Sequence, residues 1–347
     1  MSSTRTITSL LASIDLSIDE QQHSIHRGAY QQPNCSENFI AILPYYGFLA
    51  IEGPDTAKFL QGQATCDTSK VTEKQSCNGA LCSVKGRMYS SFHLARHDNA
   101  HYLLKMRQPL VETTLATLNK YIVFSKAKQY NASDDYIAIG LYGPSARAAI
   151  HASFGSCPDT HHGSIVNDGN IAIQMDTAGL MYECWVASGN IERLWPTLQH
   201  GLELRGSRSW ELLTIQQGLG EICEATKDMF LPQMLNYQAT NAISFTKGCY
   251  TGQEVVARMT YKGKLKRPMY RIRIATDMAS SALQAGSDLF STSGEQSIGN
   301  IVNIVNVDNN NCEALAVISS KEVEQNTVIA GKQKSTITLL PLPYAIT

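Results

Sequence analysis

The segment that decides how this chain is interpreted is Lys247-Gly248-Cys249-Tyr250-Thr251-Gly252-Gln253-Glu254. Two glycines bracket Cys249, and a helix-compatible run begins at Gln253, so the thiol is expected near a helix N-terminus. The helix dipole and the neighbouring Lys247 ammonium both favour a thiolate. The segment alone leaves two interpretations open: a reactive or ligand-facing thiol, and a half-buried cysteine in a glycine-containing turn.

A basic stretch follows this segment, and its cations are Arg258, Lys262, Lys264, Lys266 and Arg267. Such a stretch can hold phosphates or a row of carboxylates. A solvated linker into the next domain has the same composition. Both interpretations stay open at this point.

Length and composition exclude several classes of protein. The chain has 347 residues, 43% of them apolar and 17% charged, which is typical of two or three packed domains. Its 29 basic and 30 acidic residues produce no global field that would attract nucleic acid or a membrane. We find no run of 18 apolar residues and no apolar signal core at the N-terminus, so we expect a cytoplasmic protein without a membrane partner.

The metal-binding residue types are scattered along the chain. Nine cysteines contain no C-x-x-C pair, so neither a disulfide framework nor a structural zinc site is expected. The tandem His161-His162 lies beside Gly163 in a polar stretch, which we interpret as a solvated loop. We therefore predict no metal site.

The order of strand-like and helix-like runs predicts an α+β fold. Residues 1–40 are polar and are interpreted as a lead-in with a loosely held helix. Two ferredoxin-like antiparallel-sheet units with helices are expected at 41–135 and 136–267, the second carrying Cys249. Short strands with turn signals between them predict a small β-barrel at 268–347.

The Cys249 segment resembles the signature of the YgfZ family of folate-binding proteins, which are related to the aminomethyltransferase (T-protein) of the glycine cleavage system. Other motifs agree in order, and the resemblance spans about residues 42–346. These motifs are Phe59-Leu60-Gln61-Gly62-Gln63, Lys85-Gly86-Arg87-Met88, Lys120-Tyr121-Ile122-Val123-Phe124-Ser125-Lys126, Leu231-Pro232-Gln233-Met234 and Pro341-Leu342-Pro343-Tyr344.

The resemblance implies three domains around a central channel that binds tetrahydrofolate or another reduced folate, with no pyridoxal phosphate and no nucleotide. It implies an accessory protein that supports iron–sulfur cluster assembly or repair, and thereby cluster-dependent tRNA modification. Its partners would be iron–sulfur proteins, including tRNA-modifying enzymes, with direct tRNA contact through 258–267 as a further hypothesis. Cys249 would be the functional thiol beside Lys247. The implied folate-binding residues are Tyr46, Trp210, Gln216, Tyr250, Gln253, Glu254 and Arg258.

Two departures from the related pattern bear on chemistry. Ser90-Ser91 stands where the aminomethyltransferase has an acidic pair, and a serine cannot replace a carboxylate that holds or deprotonates the reacting nitrogen. Gln216 stands where the superfamily usually has a glutamate that could accept two hydrogen bonds from a pterin. Aminomethyl transfer is therefore not expected. A folate-dependent one-carbon transferase that uses Cys249 as its nucleophile is the alternative.

Overall fold

The computed structural model describes residues 17–19, 24–26, 38–261, 265–275, 283–331 and 333–346. Contacts divide the chain into two compact units. The first unit comprises Met1–Gln61, Asp67–Asn78 and Phe92–Trp210, and the second comprises Gly62–Cys66, Gly79–Ser91 and Glu211–Thr347. The division into three domains stays a prediction.

The N-terminal part of the chain forms mostly strands. They are β1 (Ser17–Asp19), β2 (Ser24–His26), β3 (Phe39–Ile42), β4 (Tyr46–Glu52), β5 (Cys77–Cys82), β6 (Met88–Arg96), β7 (His101–Arg107) and β8 (Lys128–Asn131). Helices α1 (Thr56–Gln61) and α2 (Leu110–Ile122) and a short 3-10 turn (Thr68–Lys70) lie between them. Strands β1 and β2 pair with each other in antiparallel orientation. The helix expected within residues 1–40 stays a prediction, because most of that stretch lies outside the described residues.

A five-stranded sheet has the order β5-β6-β7-β4-β8. Strand β4 has six buried residues in succession because β7 and β8 flank it on both sides. Helix α2 buries Val111, Thr114, Leu118 and Ile122, which recur at helical spacing along one face.

The next elements form a six-stranded sheet. They are β9 (Tyr136–Tyr142), α3 (Ala146–Phe154), β10 (Ser164–Asn167), β11 (Asn170–Gln174), β12 (Met181–Ala187), a 3-10 turn (Ser188–Asn190), α4 (Ile191–Leu198), β13 (Glu203–Leu204) and α5 (Ser207–Gln216). The sheet order is β10-β11-β12-β9-β3-β13, in which β13 pairs with β3 in parallel.

Helices α3 and α4 cover one face of this sheet. Their apolar residues pack with Tyr182, Cys184 and Val186 of β12 in one core cluster. Successive residues of a strand project to opposite faces. The opposite face of β12 therefore carries Glu183 and Trp185.

The remaining elements belong to the second unit. They are two 3-10 turns (Glu224–Thr226 and Pro232–Leu235), α6 (Gln253–Tyr261), β14 (Met269–Ala275), β15 (Asp288–Ser291), β16 (Ser297–Asn306), β17 (Asn311–Ile318), α7 (Ser320–Glu324), β18 (Val328–Ala330) and β19 (Ser335–Leu340). Strands β14-β17-β16-β15-β18-β19 close into a barrel around a core that includes Ile272, Leu289 and Ala314. The predicted α+β class and C-terminal barrel are confirmed. Within the described ranges, no helix has the length and apolarity needed to cross a membrane.

Candidate functional site

A buried ion pair lies between the two sheets of the first unit. Lys105 Nζ of β7 is 2.6 Å from Glu183 Oε2 of β12, and the two side chains are 3% and 1% exposed. Trp185 Nε1 donates a hydrogen bond of 2.5 Å to the other carboxylate oxygen, Glu183 Oε1. The opposite charges of Lys105 and Glu183 are thus shielded from water, and Trp185 supplies a further hydrogen-bond donor to the carboxylate. Such an arrangement requires specific pairing, because an unpaired buried charge is strongly destabilising.

Aromatic rings surround this ion pair. The ammonium group of Lys105 lies 3.6 Å from the ring centroid of Tyr46, which is a cation–π distance. The rings of Phe48 and Trp185 meet edge to face at 5.4 Å. Tyr46 itself is 7% exposed. We name the group formed by Tyr46, Lys105, Glu183 and Trp185 the Lys105–Glu183 cluster.

Strand register places a histidine beside this cluster. His93 of β6 pairs directly with Lys105, and its ring meets that of Trp185 at 5.8 Å. His93 Nε2 lies 2.8 Å from Ser76 Oγ, and Ser76 donates to the carbonyl of His162. Burial lowers the pKa of His93 well below its usual range, and the charges of His162 and Lys105 act in the same direction. His93 is therefore neutral at physiological pH.

His162 corrects the interpretation of His161-His162 as a solvated loop. His162 is 8% exposed and packs against His93, with 5.2 Å between ring centroids. Burial and the charge of His161 lower its pKa to about 3. The polar neighbours in sequence concealed this burial, because the His162 backbone is fixed by hydrogen bonds to two distant residues, Ser76 just before β5 and Gln174 at the end of β11.

Trp210 lies next to the Lys105–Glu183 cluster. It is fully buried, and a Cβ on Gly140 would lie only 2.2 Å from its ring atom Cε3. Gly140 pairs directly with Glu183, so the ring covers the sheet beside the Glu183 side chain. Trp210 Nε1 is buried without a hydrogen-bond partner among the described residues. Within the first unit, the structure thus brings the two predicted aromatics, Tyr46 and Trp210, to the same buried ion pair.

The predicted thiol segment lies in the second unit, where Lys247 has an architectural contact. Its Nζ atom donates hydrogen bonds of 2.7 Å to the carbonyls of Ala64 and Cys66. It also lies 5.2 Å from the ring centroid of Tyr250. Lys247 therefore fastens residues 62–66 to the Cys249 segment.

Other signature residues also hold backbone. The amide of Thr251 donates to the carbonyl of Gly62, and Gln253 Oε1 accepts a hydrogen bond from the amide of Tyr250 at the start of α6. Gly252 has φ of +84°, and a Cβ there would lie 2.4 Å from the carbonyl oxygen of Ser83. Glycine is required at this position both by conformation and by close approach.

Cys249 differs from its neighbours because its side chain is exposed. A Cβ on the preceding Gly248 would meet no atom within 4 Å, so the chain here borders open space. In contrast, Cys82 is buried beneath the segment, and burial followed by the charge of Asp228 raises its pKa to about 12. Among the described cysteines, Cys249 alone is exposed. We name residues 247–252 the thiol loop.

The remaining predicted residues of this segment differ in how far their side chains are exposed to solvent. Tyr250 is buried, and burial raises its pKa above the usual range. Glu254 and Arg258 lie exposed on α6, whereas Gln253 is half-buried. Lys262 and Lys264 lie outside the described residues.

The two departures from the aminomethyltransferase pattern are located on the second unit. Ser90 and Ser91 are buried, and Ser91 Oγ accepts a hydrogen bond of 2.8 Å from the amide of Ile222. Gln216 ends α5 and is half-buried. The structure therefore assigns Ser91 a backbone-holding contact, and it brings Gln216 and the thiol loop into a different unit from Tyr46 and Trp210.

Comparison with known proteins places these features in a family. The chain is 31% identical to the tRNA-modifying protein YgfZ of Klebsiella pneumoniae (strain 342), covering 91% of this chain and 97% of that protein. It is 32% identical to the tRNA-modifying protein YgfZ of Pectobacterium carotovorum subsp. carotovorum (strain PC1), covering 94% and 99%. The chain belongs to the YgfZ family. The resemblance stated from sequence is confirmed.

The YgfZ family assignment agrees with two further similarities. The family described as GCVT N-terminal domain matches residues 45–175. The glycine cleavage system aminomethyltransferase T from Bartonella henselae has a similar fold, with a TM-score of 0.71 at 14% identity, covering 98% of this chain and 97% of that one. At this identity the comparison establishes the fold alone.

Sequence reasoning missed the polar residues of the first unit in this YgfZ-family chain. Lys105 lies in the buried middle of the strand His101–Arg107, and Glu183 is the one charged residue of the strand Met181–Ala187. A charged residue at a position that alternation assigns to the core is itself a signal, because charges are rarely buried unless paired. The partner could not be found this way, since 78 residues separate the two.

Proposed function

We propose that this protein is a folate-binding accessory protein, with tetrahydrofolate or another reduced folate as its ligand, that supports iron–sulfur cluster assembly or repair and thereby cluster-dependent tRNA modification. The family assignment supports the role in tRNA modification, since its relatives carry that name. The observation that carries the folate proposal is the buried Lys105–Glu183 pair with its aromatic surroundings.

The Lys105–Glu183 cluster fits the head group of a folate. A pterin carries an N–H and an amino group side by side, and a carboxylate can accept hydrogen bonds from both. The sequence suggested that this carboxylate was lost at Gln216, whereas Glu183 supplies one in the first unit. Tyr46, Trp185 and Trp210 offer flat surfaces for a heterocycle. The buried Nε1 of Trp210 is a donor still to be satisfied.

In this proposal the protein's own residues bind and orient the ligand. Glu183 would receive the hydrogen bonds of the pterin, while the ion pair with the Lys105 ammonium fixes the position of that carboxylate. His93 is neutral and therefore adds no further charge to the Lys105–Glu183 cluster. A reduced folate, once bound, supplies a carrier for one-carbon units.

Tetrahydrofolate titration followed by tryptophan fluorescence tests the ligand. The chain has three tryptophans. Trp185 belongs to the Lys105–Glu183 cluster, Trp210 lies beside it, and Trp195 packs in the core between the six-stranded sheet and its helices. We expect quenching that falls sharply in Trp210→Phe and persists in Trp195→Phe, the matched control. Equal quenching in both variants would contradict the proposed position of the ligand.

The carboxylate is tested separately by Glu183→Gln. A hydrogen bond to a charged group contributes about 1.5–3 kcal/mol, so tetrahydrofolate binding should weaken about tenfold or more. Circular dichroism establishes whether the variant is folded at the temperature of the titration. Unchanged affinity in a folded Glu183→Gln variant would remove Glu183 from the site.

For the functional thiol, the support is the exposure of Cys249 in a segment whose residues Lys247, Thr251 and Gln253 hold backbone. Cys249→Ala should leave folding intact and lower cluster-dependent tRNA methylthiolation in cells that lack the wild-type gene. Cys157→Ala, a partly buried cysteine in the first unit, is the control. Normal methylthiolation in the Cys249→Ala strain would argue against a functional thiol. Release of formaldehyde or methylenetetrahydrofolate from an amine donor by purified protein would instead favour the transferase alternative.

Direct tRNA contact is a separable part of the proposal. Arg258, Lys266 and Arg267 are exposed, and they are the described members of the basic stretch 258–267. Contact with phosphates predicts binding that weakens steeply with salt and is lost when these three residues are neutralised. Absent or salt-insensitive binding would exclude this contact and leave folate binding untouched.

A further inference from the structure

The turn between β6 and β7 in the first unit brings two histidines and an aspartate together. His97 follows β6 and His101 begins β7, and the amide of His97 donates to the carbonyl of His101 at 2.8 Å. The two rings lie side by side with 5.1 Å between their centroids. The H-x-x-x-H spacing thus becomes a cross-strand pair at the end of a hairpin, where both side chains lie on one face.

The two carboxylate oxygens of Asp98 have different roles: one closes the turn, and the other lies beside the histidines. Oδ1 accepts hydrogen bonds from the amides of Ala100 and His101, at 2.9 and 3.0 Å, which close the turn. Oδ2 lies 3.5 Å from His97 Nδ1. One ligand atom from each of His97, Asp98 and His101 lies within 4.8 Å of the other two.

The hairpin is held rigidly enough to keep these atoms together. Arg96 Nε donates to the carbonyl of Asp98 at 2.8 Å, and the Arg96 guanidinium also bonds the side chain of Asn99. Since neighbouring residues of a strand project to opposite faces, Arg96 binds the turn from the side opposite His97. The His101 Nε2 atom is buried and has no hydrogen-bond partner among the described residues.

A groove of about 630 Å³ leads to this group. Asp98 and His101 form part of its wall, together with Glu52, Lys126 and Lys128. Glu52 pairs directly with His101 across β4 and β7, so its exposed carboxylate projects on the same side of the sheet. A small ligand can therefore reach the group from solvent, and a second carboxylate stands next to it.

We propose that His97, Asp98 and His101 bind a divalent transition-metal ion of the Zn²⁺ class. Two imidazole nitrogens and one carboxylate oxygen suit Zn²⁺ and its first-row neighbours better than Mg²⁺ or Ca²⁺, which prefer oxygen ligands. Three protein ligands leave a coordination position for water or for a ligand in the groove. Sequence analysis predicted no metal site because only the hairpin register brings these residues together. The proposal is independent of folate binding and of Cys249.

Cobalt titration of the full chain in a Cys249→Ser background tests this site. Co²⁺ is the probe because its absorption spectrum distinguishes nitrogen and oxygen ligands from thiolate ligands. We expect one equivalent to bind without thiolate charge-transfer absorption. His101→Ala removes a ligand and should weaken binding about tenfold or more, since even the loss of a ligand's own hydrogen-bond partner weakens metal affinity about 10–100-fold.

Two more variants complete the test: one that should remove a ligand without disturbing the fold, and one that changes a histidine outside the site. Asp98→Asn keeps an oxygen for the two turn hydrogen bonds but loses the anionic Oδ2, so it should fold like the parent and still bind Co²⁺ weakly. His151→Ala replaces an exposed histidine of α3 and should bind like the parent. Equal affinity in parent, His101→Ala and Asp98→Asn would overturn the proposal. A spectrum with thiolate absorption would overturn it as well.

Discussion

The buried pair of the first unit makes a quantitative prediction about stability. Lys105 and Glu183 lie 2.6 Å apart with almost no exposure, and at an effective dielectric constant of about 20 their attraction is about 6 kcal/mol before desolvation is counted. Lys105→Met keeps the volume of the side chain but leaves the Glu183 carboxylate buried without its cation. Removing one member of such a pair costs about 3–5 kcal/mol. We therefore expect Lys105→Met to lower the free energy of unfolding by that amount.

The double variant Lys105→Met with Glu183→Gln separates the charge from the packing. The glutamine oxygen still accepts the hydrogen bond of Trp185 Nε1, while no net charge remains buried. The double variant should thus be at least about 2 kcal/mol more stable than Lys105→Met alone, because the uncompensated charge is gone. Measuring Glu183→Gln alone completes the double-mutant cycle, and the effect of the double variant minus the effects of both single variants is the coupling free energy of the pair.

Urea unfolding followed by tryptophan fluorescence measures both effects, and an exposed pair provides the control. Arg193 and Asp168 are also 2.6 Å apart, but their side chains are 57% and 66% exposed. Arg193→Met should cost less than about 1 kcal/mol because water screens that pair. If the double variant were no more stable than Lys105→Met, or if Arg193→Met were as costly as Lys105→Met, the argument from burial would be refuted.

Three further predictions concern the thiol loop and a buried histidine. Gly252→Ala should lower the melting temperature, since its φ is +84° and the added Cβ would meet a carbonyl oxygen at 2.4 Å, whereas Gly248→Ala has open space and should change it little; equal shifts would contradict this account. The number of thiols that react rapidly with Ellman's reagent should fall by about one in Cys249→Ser, because the Cys249 thiol is exposed. An unchanged number of rapidly reacting thiols would show that Cys249 is not accessible. Burial lowers the pKa of His162 to about 3 from 6.5, so below pH 6.5 the unfolded chain binds a proton that the folded chain does not. The free energy of unfolding should therefore fall by up to ~1.4 kcal/mol per pH unit between pH 6.5 and 3, and urea unfolding of His162→Asn should show a shallower fall; identical slopes would refute this assignment.

Much of the fold could be predicted because local pattern and final structure agree. The helix expected from Gln253 begins at that residue in the structure. The barrel followed from short strands with turn signals. Strands β1 and β2 were not predicted, because they have three residues each and are defined by pairing with each other, which a single short run does not reveal. The helix expected within residues 1–40 stays a prediction.

The candidate sites were less predictable, because their contacts join distant parts of the chain. Trp210 was expected to bind folate from the resemblance alone, and in the structure it is fully buried beside Glu183. Lys247 was expected to favour a thiolate at Cys249, yet its ammonium group bonds two carbonyls more than 180 residues away in sequence. The closeness of Lys247 to Cys249 in sequence therefore did not reveal which groups the Lys247 ammonium contacts.

The thiol loop suggests how its signature should be interpreted in physical terms. Lys247, Thr251 and Gln253 use their polar groups to hold backbone, and Gly252 is required by close approach to Ser83. These residues hold the loop in a conformation that exposes the Cys249 side chain, and they need not react themselves. Cys249 is exposed between them, so in the proposed function the chemistry of the segment depends on this one sulfur atom, which the other residues support. A substitution at Lys247 should accordingly affect function through the position of the loop, whereas one at Cys249 should affect it with the loop intact.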